Sequence, residues 1–424
     1  MKFYIYTLGC KLNYSDSAHI AKTLEQQQWE QVQNPQDAHL IIINSCAVTI
    51  QAEKKTRQAF SRLKKINPLA RFAIVGCAID INKNEFVSLV EPEDYILTNQ
   101  EKYRLADIVN KKTTIEDLPF VLSYNTQHRT RSFLKIQDGC DYFCTYCAIP
   151  YARGRSRNAS IPEVLNAIED IINKGIKEIV LTGINIASFK TPDGKTYFDL
   201  LVEIEKRFNH EDIRIRIGNP EPNLLTKDII HLVAESKIFM PHFHIPLQSG
   251  SNTILKKMNR KYTAEEYSEL IYTIKELLPD ACIAADVIAG FPGETDELFE
   301  ETLAFIEKIP ISYLHVFSYS DRPQSRSFSL PQKLTPSQIQ KRTNILIDLS
   351  REKTKAFLSS QLNKVRPVLI EKSKGKFSEG YTDNYIYCQI EGKFESNKIV
   401  PSILQHIEEE KEEMFMIGKP YNHD

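Results

Sequence analysis

The 424-residue sequence has no apolar run approaching the 18 or more residues that a membrane-spanning helix needs. Its best candidate, residues 39–44 (HLIIIN), is only strand-length. An export leader is also missing: a single lysine precedes seven mostly apolar residues before Cys10, and Tyr4 and Tyr6 interrupt them. That segment is too short for translocation, so the LGC at residues 8–10 is not read as a lipid-attachment site, and a cytoplasmic chain is expected. Net charge is nearly absent, at −1, so total charge says nothing about a polyanionic partner. Internal repeats and low-complexity tracts are absent too. What remains is an ordinary globular composition, 42% hydrophobic and 26% charged, in a chain long enough for two or three domains.

Charge is present locally. Residues 53–71 carry seven positive charges against one negative, YARGRSR (151–157) has three arginines, and KKMNRK (256–261) has four cations. Each patch alone reads as a solvated face, but together with aromatic neighbours they tilt toward a polyanionic partner. The acidic run 408–413 reads as a solvated edge.

Apolar strands alternate with helical stretches over the first 110 or so residues: strands at 2–6, 38–44 and 71–76, and helices from Ser15 or Ser17 to Gln28 and from 51 to 66. Near-continuous apolar strands between helices imply a parallel sheet covered on both faces. A second series follows, with strands at 132–137, 178–183, 213–218, 242–248, 282–290 and 312–319. Six units are too few for a closed eight-stranded barrel and suit a partial one. After a helix over 337–362 the pattern turns to short strands with Gly, Asp and Asn turns, a small antiparallel β domain. The expected fold is α/β, divided at residues 1–118, 126–362 and 363–424.

The eight cysteines carry the chemistry. In a cytosolic chain, clustered cysteines argue for metal or redox work rather than disulfides. Cys10, Cys46 and Cys77 each follow the C-terminal end of one strand of the first series, and those ends share one edge of a parallel sheet, where ligands bind. Three distant residues therefore converge; small buried thiols would share that placement only by coincidence. CDYFCTYC (140–147), directly after the first strand of the second series, has Cys-x3-Cys-x2-Cys spacing. Three thiolates on one loop can hold three irons of a 4Fe–4S cluster and leave the fourth open for a ligand. A structural zinc would need a fourth ligand, and no histidine lies in the loop.

This loop resembles the hallmark of the radical S-adenosylmethionine superfamily. The resemblance implies that Cys140, Cys144 and Cys147 hold the radical cluster, that Tyr146 packs near the adenine of S-adenosylmethionine, and that Gly183 and Gly290 let the cofactor approach. More narrowly, TLGCKLNYSDS, NSCAVT, VGCA, DGCDYFCTYCAIPYARGRSRN, HIPLQSGS, DVIAGFPGET and FSYSDRP look like the methylthiotransferases across essentially the whole chain. That implies an auxiliary 4Fe–4S cluster on Cys10, Cys46 and Cys77, and a C-terminal RNA-binding TRAM barrel. Cys282 and Cys388 fall outside the pattern and are expected to be buried thiols.

TLGCKLN, CAVT, YARGRSR and LTGIN are most similar to the branch acting on threonylcarbamoyl-adenosine beside the tRNA anticodon. The isopentenyl-adenosine branch tends to carry glutamine–methionine at Lys11 and Leu12, and the ribosomal-protein aspartate branch proline and lysine; these are the alternative substrates. RIRIGNPEPN departs from the favoured branch, keeping Glu221 and Pro222 while putting nearby substrate contacts in doubt, and FSYSDRPQSRS lacks the usual glycine–threonine. The resemblance further implies that one S-adenosylmethionine donates methyl to sulfur on the auxiliary cluster and a second yields a 5′-deoxyadenosyl radical. The methylthio group is then joined to adenine C2, a position that polar substitution reaches poorly. An anticodon-loop base can be unstacked cheaply for this purpose. Arg153, Arg155 and Arg157 are expected to meet RNA phosphates. Two rivals are a radical enzyme whose second cluster only transfers electrons and a non-catalytic iron–sulfur RNA-binding sensor.

Overall fold

The structure is a computed structural model, which describes residues 1–47, 49–112, 120–126 and 130–421. The first region alternates strand and helix: β1 (Lys2–Thr7), α1 (Lys11–Gln26), β2 (Glu30–Gln31), β3 (Leu40–Ser45), α2 (Ile50–Ile66), β4 (Arg71–Gly76), α3 (Cys77–Val87), β5 (Tyr95–Leu97) and α4 (Leu105–Val109). The strands pair in parallel in the order β2-β1-β3-β4-β5. β3 sits at the centre because its apolar run can face two cores. Ile41 and Ile43 pack on one side of the sheet and Leu40 and Ile42 on the other, all buried.

α1 departs from the sequence expectation. It begins at Lys11 with Cys10 as its N-cap, so Ser15 and Ser17 lie inside the helix rather than capping it. Their hydroxyls have tertiary partners instead: Ser15 Oγ donates to the Ser123 carbonyl (2.6 Å), and Ser17 Oγ accepts from Thr7 and Asn44. α2 matches its expected span to within one residue, and the Thr49 hydroxyl caps it by accepting from Ala52 N. The expected boundary at residue 118 lies outside the described residues.

The second region runs through β6 (Ser123–Tyr124), β7 (Arg131–Lys135), β8 (Gln137–Asp138), α5 (Ile149–Arg153), β9 (Arg157–Asn158), α6 (Ile161–Asn173), β10 (Glu178–Thr182), α7 (Tyr197–Phe208), β11 (Arg214–Arg216), α8 (Lys227–Glu235) and β12 (His242–His244). It is completed by α9 (Asn252–Lys257), α10 (Ala264–Leu277), β13 (Cys282–Ala289), α11 (Asp296–Lys308), β14 (Tyr313–Ser318) and α12 (Pro336–Ser360). Six parallel strands form two runs, β7-β10-β11 and β12-β13-β14, bridged where Ile215 pairs with Phe239. Helices on the outside seal them over one continuous apolar core. This is the open six-stranded barrel expected from the strand count. α1 packs against β6 and β7, so the first region borders the barrel at that edge.

The C-terminal strands β15 (Val365–Lys374), β16 (Phe377–Thr382), β17 (Tyr387–Glu391), β18 (Ile399–Glu410) and β19 (Glu413–Pro420) close into a five-stranded barrel. Cys388 is buried inside it and Cys282 within β13, as expected of thiols outside the cysteine pattern. No described helix is long and apolar enough to cross a membrane.

Candidate active site

The loop Cys140–Cys147 leaves β8 and is fastened from behind by the residues after α9. Thr145 N donates to the Met258 carbonyl (3.1 Å), and Asn259 Nδ2 reaches the carbonyls of Tyr142 and Phe143 (3.3 Å each). Its entrance is tight. Gly139 has φ +73, and a Cβ there would lie 2.0 Å from the Arg155 carbonyl oxygen, so only glycine fits. Arg260, with its guanidinium buried, donates to Cys144 Sγ (3.2 Å) and to the Tyr146 hydroxyl (3.4 Å), and pairs with Glu221. Burial pushes the Cys140 thiol up to about 11 and Cys147 to about 12. Tyr146 packs against Ile254, Met258 and Phe291 and borders a cavity of roughly 200 Å³, shared with Asp286, Ile288, Phe317, Tyr319 and, from the first region, Thr49. A larger hollow of about 500 Å³ lies near Tyr14, Lys22 and Tyr124, away from the loop that carries Tyr146.

The other three cysteines meet at the C-terminal edge of the first sheet. Cys10 caps α1 and is exposed, Cys46 follows β3, and Cys77 opens α3; the latter two are buried. Gly9, at φ +93, packs so closely that a Cβ would sit 2.6 Å from Cys46 Cβ and 2.7 Å from its sulfur. The link to the radical loop is direct. That loop continues into α5, whose last residue, Arg153, donates to Cys77 Sγ (3.2 Å) and Asn13 Oδ1 (2.7 Å). Asn99 Nδ2 in turn donates to the Ala152 carbonyl (2.9 Å). One five-residue helix therefore touches both cysteine groups.

Arg153 corrects an expectation. It is buried, paired with Asp138 (3.0 Å) and Asp16 (3.1 Å), and so is withdrawn from any phosphate. Asp16 also binds Lys102 (2.7 Å), Lys135 (2.8 Å) and the Tyr103 hydroxyl (2.7 Å). Burial alone would raise its carboxyl, but Lys102, Lys135 and Arg153 hold it well below the carboxylate range. Arg155 is exposed, with Asp141 as its ion-pair partner at 3.2 Å, and Arg157 is partly buried, 3.6 Å from Asp138.

The two expected cofactor glycines have reasons inside the fold. Gly290 has φ +81, its N–H goes to Glu294 (2.9 Å), and a Cβ would strike Ile339 of α12 at 2.6 Å. The positive φ and the packing against α12 both favour glycine there. A Cβ on Gly183 would meet Gln137 Oε1 at 2.8 Å; that oxygen accepts from the N–H groups of Ile184 and Asn185.

Residues 134–306 match the Radical SAM superfamily, and residues 2–98 match a family described as uncharacterized protein family UPF0004. The chain is 36% identical to a threonylcarbamoyladenosine tRNA methylthiotransferase MtaB of Aquifex aeolicus, over 94% of this chain and 99% of that one. A Bacillus subtilis protein of the same name is 33% identical, over 98% and 94%. A tRNA-2-methylthio-N(6)-dimethylallyladenosine synthase of Thermodesulfovibrio yellowstonii is 32% identical, over 94% and 91%. The chain belongs to the radical S-adenosylmethionine methylthiotransferases. The fold is shared more widely: the radical S-adenosylmethionine methyltransferase TsrM of Kitasatospora setae superposes with a TM-score of 0.57 at 13% identity, over 77% of this chain and 76% of that one.

As a radical S-adenosylmethionine methylthiotransferase, the enzyme uses S-adenosylmethionine and a 4Fe–4S cluster, and its donors fit such a group. Thiolates need compensating positive charge when buried, and Arg260 donates to Cys144 just as Arg153 donates to Cys77. Among the described residues, the side chains gathered tightly enough for a single ion are His244, Asp286 and His315, within 4.8 Å of one another.

Sequence reasoning missed Arg260, Glu221's role as its partner, the Asp16 network and the His244–Asp286 pair (2.6 Å) of this methylthiotransferase. Only the last left a local signal: HFH places His242 and His244 on the same side of a strand. The others join residues far apart in the chain and leave none.

Proposed function

We propose that this methylthiotransferase acts on tRNA, adding a methylthio group to C2 of N6-threonylcarbamoyladenosine beside the anticodon. The observation that supports the reading is α5, which follows the radical loop directly and whose Arg153 bonds Cys77 of the auxiliary set. Cys140, Cys144 and Cys147 would hold the radical cluster, and Cys10, Cys46 and Cys77 a second 4Fe–4S cluster with one open iron. When bound, the radical cluster would supply the electron that cleaves S-adenosylmethionine to a 5′-deoxyadenosyl radical, and the second cluster would hold the sulfur to be transferred.

The protein's own part is positioning. Arg260 and Arg153 hold positive charge against ligand sulfurs, Glu221 fixes Arg260, and Tyr146 with its apolar neighbours forms one wall of the cavity. Tyr146, Gly183 and Gly290 are the residues proposed to face the cofactor. Arg155 and Arg157 remain the proposed phosphate contacts, and the C-terminal barrel the proposed TRAM domain. A division at 1–118, 126–362 and 363–424 and a cytoplasmic setting complete the reading. Relatives named for threonylcarbamoyladenosine support the substrate, as does lysine at position 11, where the isopentenyl branch tends to carry glutamine.

The test is anaerobic reconstitution, an iron count, and incubation with S-adenosylmethionine, reductant and tRNA lacking the methylthio group. We expect about eight irons and a methylthio product on threonylcarbamoyladenosine. Replacing Cys10, Cys46 and Cys77 with alanine should leave about four irons and no product. Wild-type enzyme with only about four irons, or a product that survives loss of those cysteines, refutes the two-cluster reading. A product confined to dimethylallyladenosine refutes the substrate.

A further inference from the structure

A narrow crevice opens where all three parts of the chain meet. Lys11 reaches it from α1, Arg131, Arg216, Asn219 and His242 from the six-stranded barrel, and Tyr385 from the C-terminal barrel. Its charge is lopsided. Arg214 lies alongside, making four cations, whereas the carboxylates bonded to them are Glu178 and Glu371. Glu178 is committed to Arg131 and, at 2.8 Å, to Arg216; Glu371 lies 3.5 Å from Arg131; neither pairs with Lys11. Buried polar atoms are also left over: Arg216 Nε and His242 Nε2 have no hydrogen-bond partner, and Arg131 Nη2 has only its 3.5 Å ion-pair contact with Glu371. Arg216 is 2% exposed and His242 8%. Buried, unanswered guanidinium N–H groups are costly unless an anion completes them.

The crevice adjoins the reaction space. Asn219 at its rim hydrogen-bonds His244 (3.1 Å), His244 bonds Asp286 (2.6 Å), and Asp286 lines the cavity bordered by Tyr146. Lys11 itself directly follows Cys10. Free space amounts to about 10 Å³, enough for roughly one oxygen atom, and the flexible Lys11 stem is its movable wall. In adenine only N1 separates C2 from C6, so a substituent on N6 lies on the same flank of the ring as the carbon to be modified. The threonylcarbamoyl group ends in a carboxylate; a prenyl group carries no charge and would leave these cations unanswered.

We propose that Lys11, Arg131 and Arg216 form a carboxylate seat that reads the amino-acid substituent on the target adenosine and so sets substrate choice. This rests on the substrate reading above. Lys11 supplies the mobile charge; the two arginines, fixed by Glu178 and by stacking over Tyr385 (5.4 and 4.8 Å to the ring centre), supply the rigid part.

The test uses the reconstituted full-length enzyme and three anticodon stem-loops: one with threonylcarbamoyladenosine, one with its neutral methyl ester, and one with dimethylallyladenosine. Dissociation constants are measured without reductant, and product is measured with it. Wild-type enzyme should bind the acid at least tenfold more tightly than the ester, the value of one charge-assisted contact. In Lys11→Gln, with its iron content checked, the preference should fall below about threefold, and Lys11→Arg should restore part of it. Arg216→Gln should act in the same direction if it folds; Lys11→Gln decides the matter if it does not. Turnover of both acid and ester with equal affinity overturns the seat while leaving the substrate reading intact, as does a Lys11→Gln enzyme that keeps the full preference. Turnover of the dimethylallyl stem-loop alone overturns both.

Discussion

Arg153 and Arg155 are two positions apart in one basic run and do opposite jobs. Arg153 is sealed against Cys77, Asp16 and Asp138, while Arg155 extends into solvent. Arg155→Ala should weaken tRNA binding and lower the slope of log affinity against log salt by about one phosphate's worth. Arg153→Met should leave that slope unchanged but uncover Asp16 and Asp138, costing about 3–5 kcal/mol in thermal unfolding. Equal salt slopes for wild type and Arg155→Ala would remove Arg155 from the RNA surface. Gly9→Ala forces a side chain into φ +93 and against Cys46, so reconstituted iron should fall by up to half; an iron count matching wild type would show that the loop relaxes freely. The sequence made the cysteines legible because strand ends in a parallel sheet share an edge whatever the details. It could not separate Arg153 from Arg155. Burial of an arginine is decided by carboxylates elsewhere, here Asp16 from a helix 137 positions away.

Among elements, the long and strongly periodic ones were plain in the sequence. β3 and α2 carry their period and cap locally, and α12 its capping box of Thr335 and Gln338. α1 was placed too late because serines that look like caps were already spoken for by β1, β3 and Ser123. The start of β10 sets a measurable acid response. Burial alone would raise the Glu178 carboxyl, yet Arg216 and Arg131 prevail and hold it at about 2. Its unfolded value is near 4.3, so the folded state gains on the order of 3 kcal/mol, complete above about pH 5 and lost as pH falls toward 2. Denaturant unfolding of Glu178→Gln should show the largest deficit near neutrality, shrinking across that window. A deficit independent of pH would mean that the carboxylate charge is not what holds this strand.

For the whole molecule, the C-terminal barrel is held by backbone carbonyls as much as by side chains. Arg214 donates to the carbonyls of Tyr381 (3.1 Å) and Pro367 (2.7 Å), and Arg216 to those of Asp383 (2.8 Å) and Thr382 (3.1 Å). Arg214→Leu removes two charged donors, worth about 1.5–3 kcal/mol each, and should speed amide exchange in β15 and β16 while leaving β13 protected. Unchanged exchange would place the anchorage elsewhere. Docking of this kind was invisible beforehand, since RIRIG reads as a plain strand until its partner barrel is present.

The contact between Arg322, in the segment after β14, and the first sheet reaches furthest along the chain: its guanidinium donates to the Ala47 carbonyl, beside Cys46, and pairs with Glu53. A ribosome delivers residue 322 some 276 positions after Cys46, roughly 15–60 s later at ordinary synthesis rates. During that interval the first sheet can fold, but the loop behind Cys46 lacks its last clamp. If the proposed auxiliary cluster is held there, iron delivered earlier would meet an unfinished site, and nascent chains halted before position 322 should emerge iron-poor at Cys10, Cys46 and Cys77.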